Sequence, residues 1–157
     1  MSSLRDPRGV VTCFVDTIWN ARDLSAIDEL FTNATITHQL RSDPGEIPTA
    51  PRRPDDVRHE LQSWFAAFPD IRFEIEQQIA EGDFVVTRYV MRGTHQGAWL
   101  GMPATNRPVT VRMTHTVRVV AGKIVEDWLL AEWYGMLEQL GLVPPLRELL
   151  ASRSGTT

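Results

Sequence analysis

Apolar residues recur at three- and four-residue steps through Val10, Val11, Phe14, Val15, Ile18 and Trp19, directly after Asp6-Pro7. A capping residue followed by proline at the first helical position, with that spacing, predicts an amphipathic helix of about four turns. Asp23-Leu24-Ser25 interrupts it, and 26–31 reads as a short second helix. Residues 34–40 alternate and are rich in β-branched side chains, as a short strand would be. Pro54-Asp55-Asp56 opens a third helix with Val57, Leu61, Trp64, Phe65 and Phe68 on one face, and Pro69 ends it. The period then drops to two, with Ile71, Phe73, Ile75 and Ile79 set against Arg72, Glu74 and Glu76. Glu81-Gly82-Asp83 turns this strand into a second one over 84–93, and a long strand over 108–120 returns through Ala121-Gly122 into 123–133. Residues 134–150, broken by Pro144-Pro145, read as one or two short helices.

Helices and one short strand thus precede a run of antiparallel strands, which is the order of an α+β fold with a curved antiparallel sheet packed on N-terminal helices. No repeat or linker interrupts it, so a single domain over 1–157 is expected, with 1–5 and 152–157 frayed. Two loops stand out. The segment 41–53 holds Pro44, Gly45, Pro48 and Pro51 and is a candidate pocket rim or lid; the segment 97–107 carries Trp99, the aromatic most suited to touching a ligand from a loop.

The two-residue turn at Ala121-Gly122 allows a register estimate. Regular pairing sets Val119 opposite Ile124, Val117 opposite Glu126, His115 opposite Trp128, Met113 opposite Leu130 and Val111 opposite Glu132. That face is the more apolar and is expected to line the interior, leaving Asp127 on the outer face. His115, Glu126 and Glu132 are then three titratable groups on an apolar face, where burial raises the cost of charge and tunes acid/base chemistry. His115 is either a catalyst or a hydrogen-bonded core residue; Glu126 reads first as a salt-bridge partner; Glu132 either caps the following helix or works in the pocket. His38 cannot be assigned a face. Arg88 and Tyr89 are adjacent and point to opposite faces, so one is available for a substrate oxygen. Candidate substrate-binding residues are His38, Trp64, Phe68, Tyr89, Trp99, Met113, Glu126 and Trp128.

Composition narrows the function classes. The net charge of -4 leaves no basic surplus for a phosphate backbone or an anionic membrane, so neither nucleic acid nor membrane is an expected partner. Cys13, the one cysteine, excludes an internal disulfide and a two-cysteine metal site. The N-terminus lacks the cationic and apolar runs of a secretory signal and no stretch is long and apolar enough to span a bilayer; a cytoplasmic protein is expected.

The segments Ala67-Phe68-Pro69-Asp70, Gly93-Thr94-His95-Gln96-Gly97, Leu100-Gly101-Met102-Pro103-Ala104-Thr105-Asn106-Arg107, Gly122-Lys123-Ile124-Val125-Glu126-Asp127-Trp128 and Gly135-Met136-Leu137-Glu138-Gln139-Leu140-Gly141 follow one another in the order seen in SnoaL-like polyketide cyclases. The resemblance runs from about Val10 to Gly141. It implies a cone fold with one apolar pocket for a small molecule, no metal or organic cofactor, and assembly as a homodimer or homotetramer through the outer sheet face. It also implies a cofactor-independent ring closure in a polyketide-like substrate, with an acidic residue four places after the tryptophan of the last strand as general acid/base. Here that position holds Glu132, where the family's cyclases typically carry aspartate, and His115 would assist it. Two other readings stay open: acid/base opening of an epoxide-bearing substrate, and a non-catalytic small-molecule-binding module. The epoxide reading ranks lower because Asp127 falls outward and the pocket face of the final hairpin has no arginine.

Overall fold

The helical entry is built as its sequence dictates. In this computed structural model, which describes residues 6–39 and 51–153, α1 (Pro7–Cys13) starts at Asp6, whose side chain accepts from the Arg8 amide at 3.4 Å. The helix continues as a π-helix over Phe14–Asn20, closed by Ala21 N–H donating to the Asp16 carbonyl at 2.9 Å. Widening the turn leaves the apolar stripe intact: Val10, Val11, Phe14, Val15 and Ile18 are all buried. α2 (Ile27–Leu30) runs directly into β1 (Phe31–Gln39), which begins before the alternating stretch read from the sequence. α3 (Pro54–Ala67) is capped by the Asp56 carboxylate, which accepts from the Arg53 amide at 2.9 Å, and it buries Val57 and Leu61.

Six strands form one sheet in the order β2-β1-β6-β5-β4-β3, with β2 (Pro51–Arg52), β3 (Arg72–Glu81), β4 (Phe84–Thr94), β5 (Pro108–Val120) and β6 (Lys123–Ala131). Neighbours are antiparallel, as expected, except that β1 lies parallel to β6. Two helices follow, α4 (Trp133–Leu140), stopped by Gly141 in the left-handed region at φ 74°, and α5 (Leu146–Arg153). No helix among the described residues is long and apolar enough to cross a membrane.

The concave face of the sheet and the helices share the core. Val85, Tyr89, Val117, Val119 and Ile124 pack on α1 and its π-helical extension, while Met91, Val109 and Val111 pack with Phe68, Met136 and Leu140. Trp19, Phe65, Phe73 and Met113 touch both groups and join them.

Both loops differ from their sequence reading. Residues 40–50 lie outside the described residues, as do 1–5 and 154–157, but Pro51 and Arg52 pair with Ile36 and Thr35 as an edge strand, a position that tolerates proline. Between β4 and β5 the chain folds back on itself: Trp99 and Met102 exchange backbone hydrogen bonds across Leu100 and Gly101, both at positive φ. The base of this small hairpin is fixed by the amides of Gln96 and Gly97, which donate to the Ala67 carbonyl, and any side chain at Gly97 would strike the backbone of Ala66.

Candidate active site

One irregularity in β6 decides which side chains meet. The Ala121-Gly122 turn is a two-residue loop with both residues at positive φ, and Val120 pairs with Lys123 and Val119 with Ile124, as the sequence predicts. The next pair is Arg118 with Glu126, so Val125 is an extra, bulged residue. Beyond a bulge the faces exchange. Val117 faces Asp127, His115 faces Leu129 and Met113 faces Ala131.

The inward carboxylate is therefore Asp127, correcting the expectation that it faces out. Its Oδ2 lies 2.7 Å from His115 Nε2, with the two side chains 11% and 10% exposed. His115 Nδ1 lies 3.5 Å from the Tyr89 hydroxyl, and Thr37 of β1 donates to Asp127 Oδ1 at 2.6 Å. The Phe14 ring stands 6.5 Å from the imidazole and Phe73 packs edge-on to Tyr89. Burial pushes the Tyr89 hydroxyl strongly up from the usual tyrosine range, and the nearby Asp127 charge adds to that. Tyr89 is thus held neutral as a donor across the physiological range.

The bulge moves other expected residues away. Glu126 and Trp128 point outward. There the His38 ring stacks on Trp128 at 5.0 Å with an interplanar angle of 6°, and His38 Nε2 meets Glu126 Oε1 at 3.0 Å. Arg118 Nε completes this outer cluster 3.2 Å from Glu126 Oε2. Glu132 does not pair with Val111; β6 ends at Ala131, and Glu132 is the exposed residue preceding α4, its carboxylate folded over Gly135. A carboxylate there faces the positive end of the helix, but its side chain makes no capping hydrogen bond, so the capping alternative is met in charge alone.

The aromatic candidates divide in two. Phe68 is fully buried and stacks against His95. Trp64, Trp99 and Trp133 are half-buried and form a slab, with ring centroids 5.2 Å apart for Trp64 and Trp99 and 6.2 Å for Trp64 and Trp133. Met113, also half-buried, pairs with both Tyr89 and Ala131 and connects this slab to the dyad side of the sheet. A groove of about 750 Å³ lies elsewhere, lined by Asp16, Phe73, Arg92 and Thr110 among others, and includes neither His115 nor Asp127. Its lining mixes charged side chains, Asp70, Arg72 and Glu74 among them, with Phe73, Ile75 and Val109.

The sequence held one signal for the inward carboxylate. Glu126 and Asp127 are consecutive, so either register turns one carboxylate inward. Only the bulge determines which. Inward placement of Asp127 removes one of the two grounds for ranking epoxide opening lower; Arg52 approaches Thr37 at 3.2 Å and pairs with Glu60.

A curved sheet wrapped on N-terminal helices, with a histidine–carboxylate pair on its inner face, defines a class, and comparison with known proteins agrees. The model of the family described as SnoaL-like polyketide cyclase matches residues 9–140, and the chain belongs to that family. It is 34% identical over 112 residues to the nogalonic acid methyl ester cyclase of Streptomyces nogalater, covering 69% of this chain and 74% of that one. The aklanonic acid methyl ester cyclase DnrD of Streptomyces peucetius is 37% identical over 70 residues, a match spanning 43% of this chain and less than half of the relative, 46%. Among solved structures, IdmH of Streptomyces antibioticus, a putative polyketide cyclase by its description, superimposes with a TM-score of 0.73 at 32% identity over 87% of this chain and 99% of its own.

Proposed function

We propose that this chain closes a ring in a polyketide ester by acid/base catalysis, with His115 and Asp127 as the working pair. The observation that carries this is the 2.7 Å contact between a histidine and a carboxylate on the inner face of the sheet, in a chain of the cyclase family. The relatives named for nogalonic and aklanonic acid methyl esters point to methyl esters of polyketide acids as the substrate class. The pair takes a proton from a carbon made acidic by flanking carbonyls. The resulting enolate carbon attacks a second carbonyl of the same molecule, and the new alkoxide takes the proton back, so the product is an isomer of the substrate. Conjugation in the substrate holds most of the enolate charge, while the walls of an apolar pocket hold the two carbons in attacking geometry.

In this reading Glu132 gives up the acid/base role to Asp127, and the slab of Trp64 and Trp99 supports the flat rings of the substrate. Such aromatic faces bind planar ligands by offset stacking. The outer sheet face carries Phe84, Val86 and Leu130 exposed beside Trp128, and this apolar area supports assembly as a homodimer or homotetramer of one-domain chains in the cytoplasm. The deciding experiment is mass spectrometry of the purified protein with nogalonic acid methyl ester and aklanonic acid methyl ester, wild type beside Asp127→Asn. A new isomer of unchanged mass, absent in the variant, is the expected result. Full turnover by Asp127→Asn overturns the assignment; ligand-induced thermal stabilisation without any product replaces the enzyme with a binding module.

A further inference from the structure

Asp127 is approached from its other side by two residues that sequence reasoning passed over. Thr37 sits directly opposite it on β1, with its hydroxyl 2.6 Å from Oδ1. Arg52, on the edge strand β2, brings Nη1 to 3.2 Å from the Thr37 oxygen, while its other terminal nitrogen pairs with Glu60 of α3. A guanidinium carries only donors. The Thr37 oxygen therefore accepts from Arg52, and its single hydrogen is directed to Asp127. The opposite polarity, a protonated Asp127 donating to Thr37, leaves the threonine hydrogen without an acceptor among the described residues.

Polarity on the other side follows in the same way. Asp127 Oδ2 accepts from His115 Nε2–H, so the free lone pair of the imidazole is on Nδ1, where the Tyr89 hydroxyl donates at 3.5 Å. Two donor chains, Arg52 through Thr37 and Tyr89 through His115, converge on one carboxylate.

We propose that Thr37 and Arg52 are positioning residues that hold Asp127 as an acceptor on both oxygens, so that the vacant place for the substrate proton is Nδ1 of His115. The Tyr89 contact is at the long limit of a hydrogen bond, the weakest link in the chain, and it gives way to the substrate. The proton leaves carbon for Nδ1, the imidazolium faces the Asp127 carboxylate, and the same proton returns to the alkoxide. Among the described residues, the charged and titratable groups facing the pair are Tyr89 from β4 and Arg52 from β2 with Glu60 behind it; the π-helix contributes the neutral Phe14 ring, and Glu126, Arg118 and His38 lie across the sheet. The inference rests on the acid/base reading above and is tested without a substrate as well as with one.

The chain has four histidines, so ¹⁵N NMR of the imidazole rings resolves His115 once His115→Asn identifies its signals. Wild type is expected to show the Nε2–H tautomer with Nδ1 bare. In Thr37→Val the pair loses a donor to its charged form and takes up its proton at higher pH, a shift that Thr37→Ser reverses and Arg52→Gln reproduces in smaller size. With a turned-over ester, kcat/KM of Thr37→Val at pH 7 falls by about tenfold or more, the size of a lost hydrogen bond to a charged acceptor, and Thr37→Ser recovers it. An imidazole titration in Thr37→Val that superimposes on wild type, or a resting His115 protonated at Nδ1, overturns the proposal whether or not any ester is turned over. Should Thr37→Val fail to fold, an unmoved titration in Arg52→Gln overturns it equally.

Discussion

The two faces of β6 carry the same chemistry in consecutive residues, and they use it differently. On the outer face Glu126 pairs with His38 at 3.0 Å and with Arg118 at 3.2 Å, side chains 22%, 28% and 37% exposed. On the inner face Asp127 pairs with His115 at 2.7 Å, nearly closed off from water. The outer carboxylate is neutralised directly by a guanidinium in a setting where solvent screens what remains, and exposed pairs of this kind contribute little. Among the described residues the inner carboxylate touches only a neutral hydroxyl and an imidazole, with its cation one residue removed. A proton moved inside therefore meets a poorly screened charge, and a proton moved outside meets a quenched one.

Breaking the inner pair is the largest expected effect. Asp127→Asn and His115→Ala each lower kcat by roughly 10²-fold or more, the range for a positioned acid/base group, at unchanged far-UV circular dichroism. The corresponding outer change, His38→Ala, leaves kcat within about twofold, because surface substitutions cost little. A large loss from His38→Ala would move the chemistry to the other face.

Next in size is the support behind each pair. The inner one leans on Tyr89, whose hydroxyl burial pushes far up; the outer one leans on the Trp128 ring. A group whose folded value is raised contributes stability that is complete below its unfolded value and lost as pH rises beyond it, here from about pH 10 upward. Wild type is thus expected to lose stability in denaturant titrations from about pH 10 upward, and Tyr89→Phe to lose less of it over the same window. Trp128→Phe changes nothing in that window, since no tyrosine is involved. An equal alkaline slope in Tyr89→Phe and wild type would detach Tyr89 from the inner network.

What could be read in advance divides along the same line. β5 is regular over Pro108–Val120, and its inward set, Val109, Val111, Met113, His115, Val117 and Val119, follows from alternation alone. β6 has the same alternating character but one surplus residue, and Val125 carries no mark of the bulge: it is an ordinary β-branched strand former. β3 repeats the lesson, since a register shift between Ile75 and Gln77 turns Ile79, which the sequence pattern groups with Ile71, Phe73 and Ile75, out to 57% exposure. The helices were legible because several apolar positions must agree over three or more turns, which one residue does not overturn. The site was legible as a histidine with a carboxylate on an apolar face and illegible as to which carboxylate, because that choice depends on long-range pairing that the local pattern does not encode. Thr37 and Arg52 were invisible for the same reason: β1 joins β6 in parallel, with Thr37 and Asp127 90 residues apart in the chain.

The smallest expected effects lie at the two carboxylates that the regular register would have turned inward. Glu126→Gln keeps the outer cluster's shape and its hydrogen bonds to His38 and Arg118 in altered form, and kcat is expected to stay within about twofold of wild type. Glu132→Gln is the sharper of the two, since the resemblance to the cyclase family implies the acid/base role at Glu132. In this chain its carboxylate lies over the first turn of α4, where the loss of charge removes a favourable interaction with the helix end worth about 0.3–1 kcal/mol. Glu132→Gln should therefore lower the unfolding midpoint slightly while kcat and its pH profile stay in place. If instead kcat falls with Glu132→Gln as far as with Asp127→Asn, the inner face must hold two carboxylates during turnover. The exposed position of Glu132 would then describe the enzyme only before its substrate arrives, with the start of α4 moving as the ring closes.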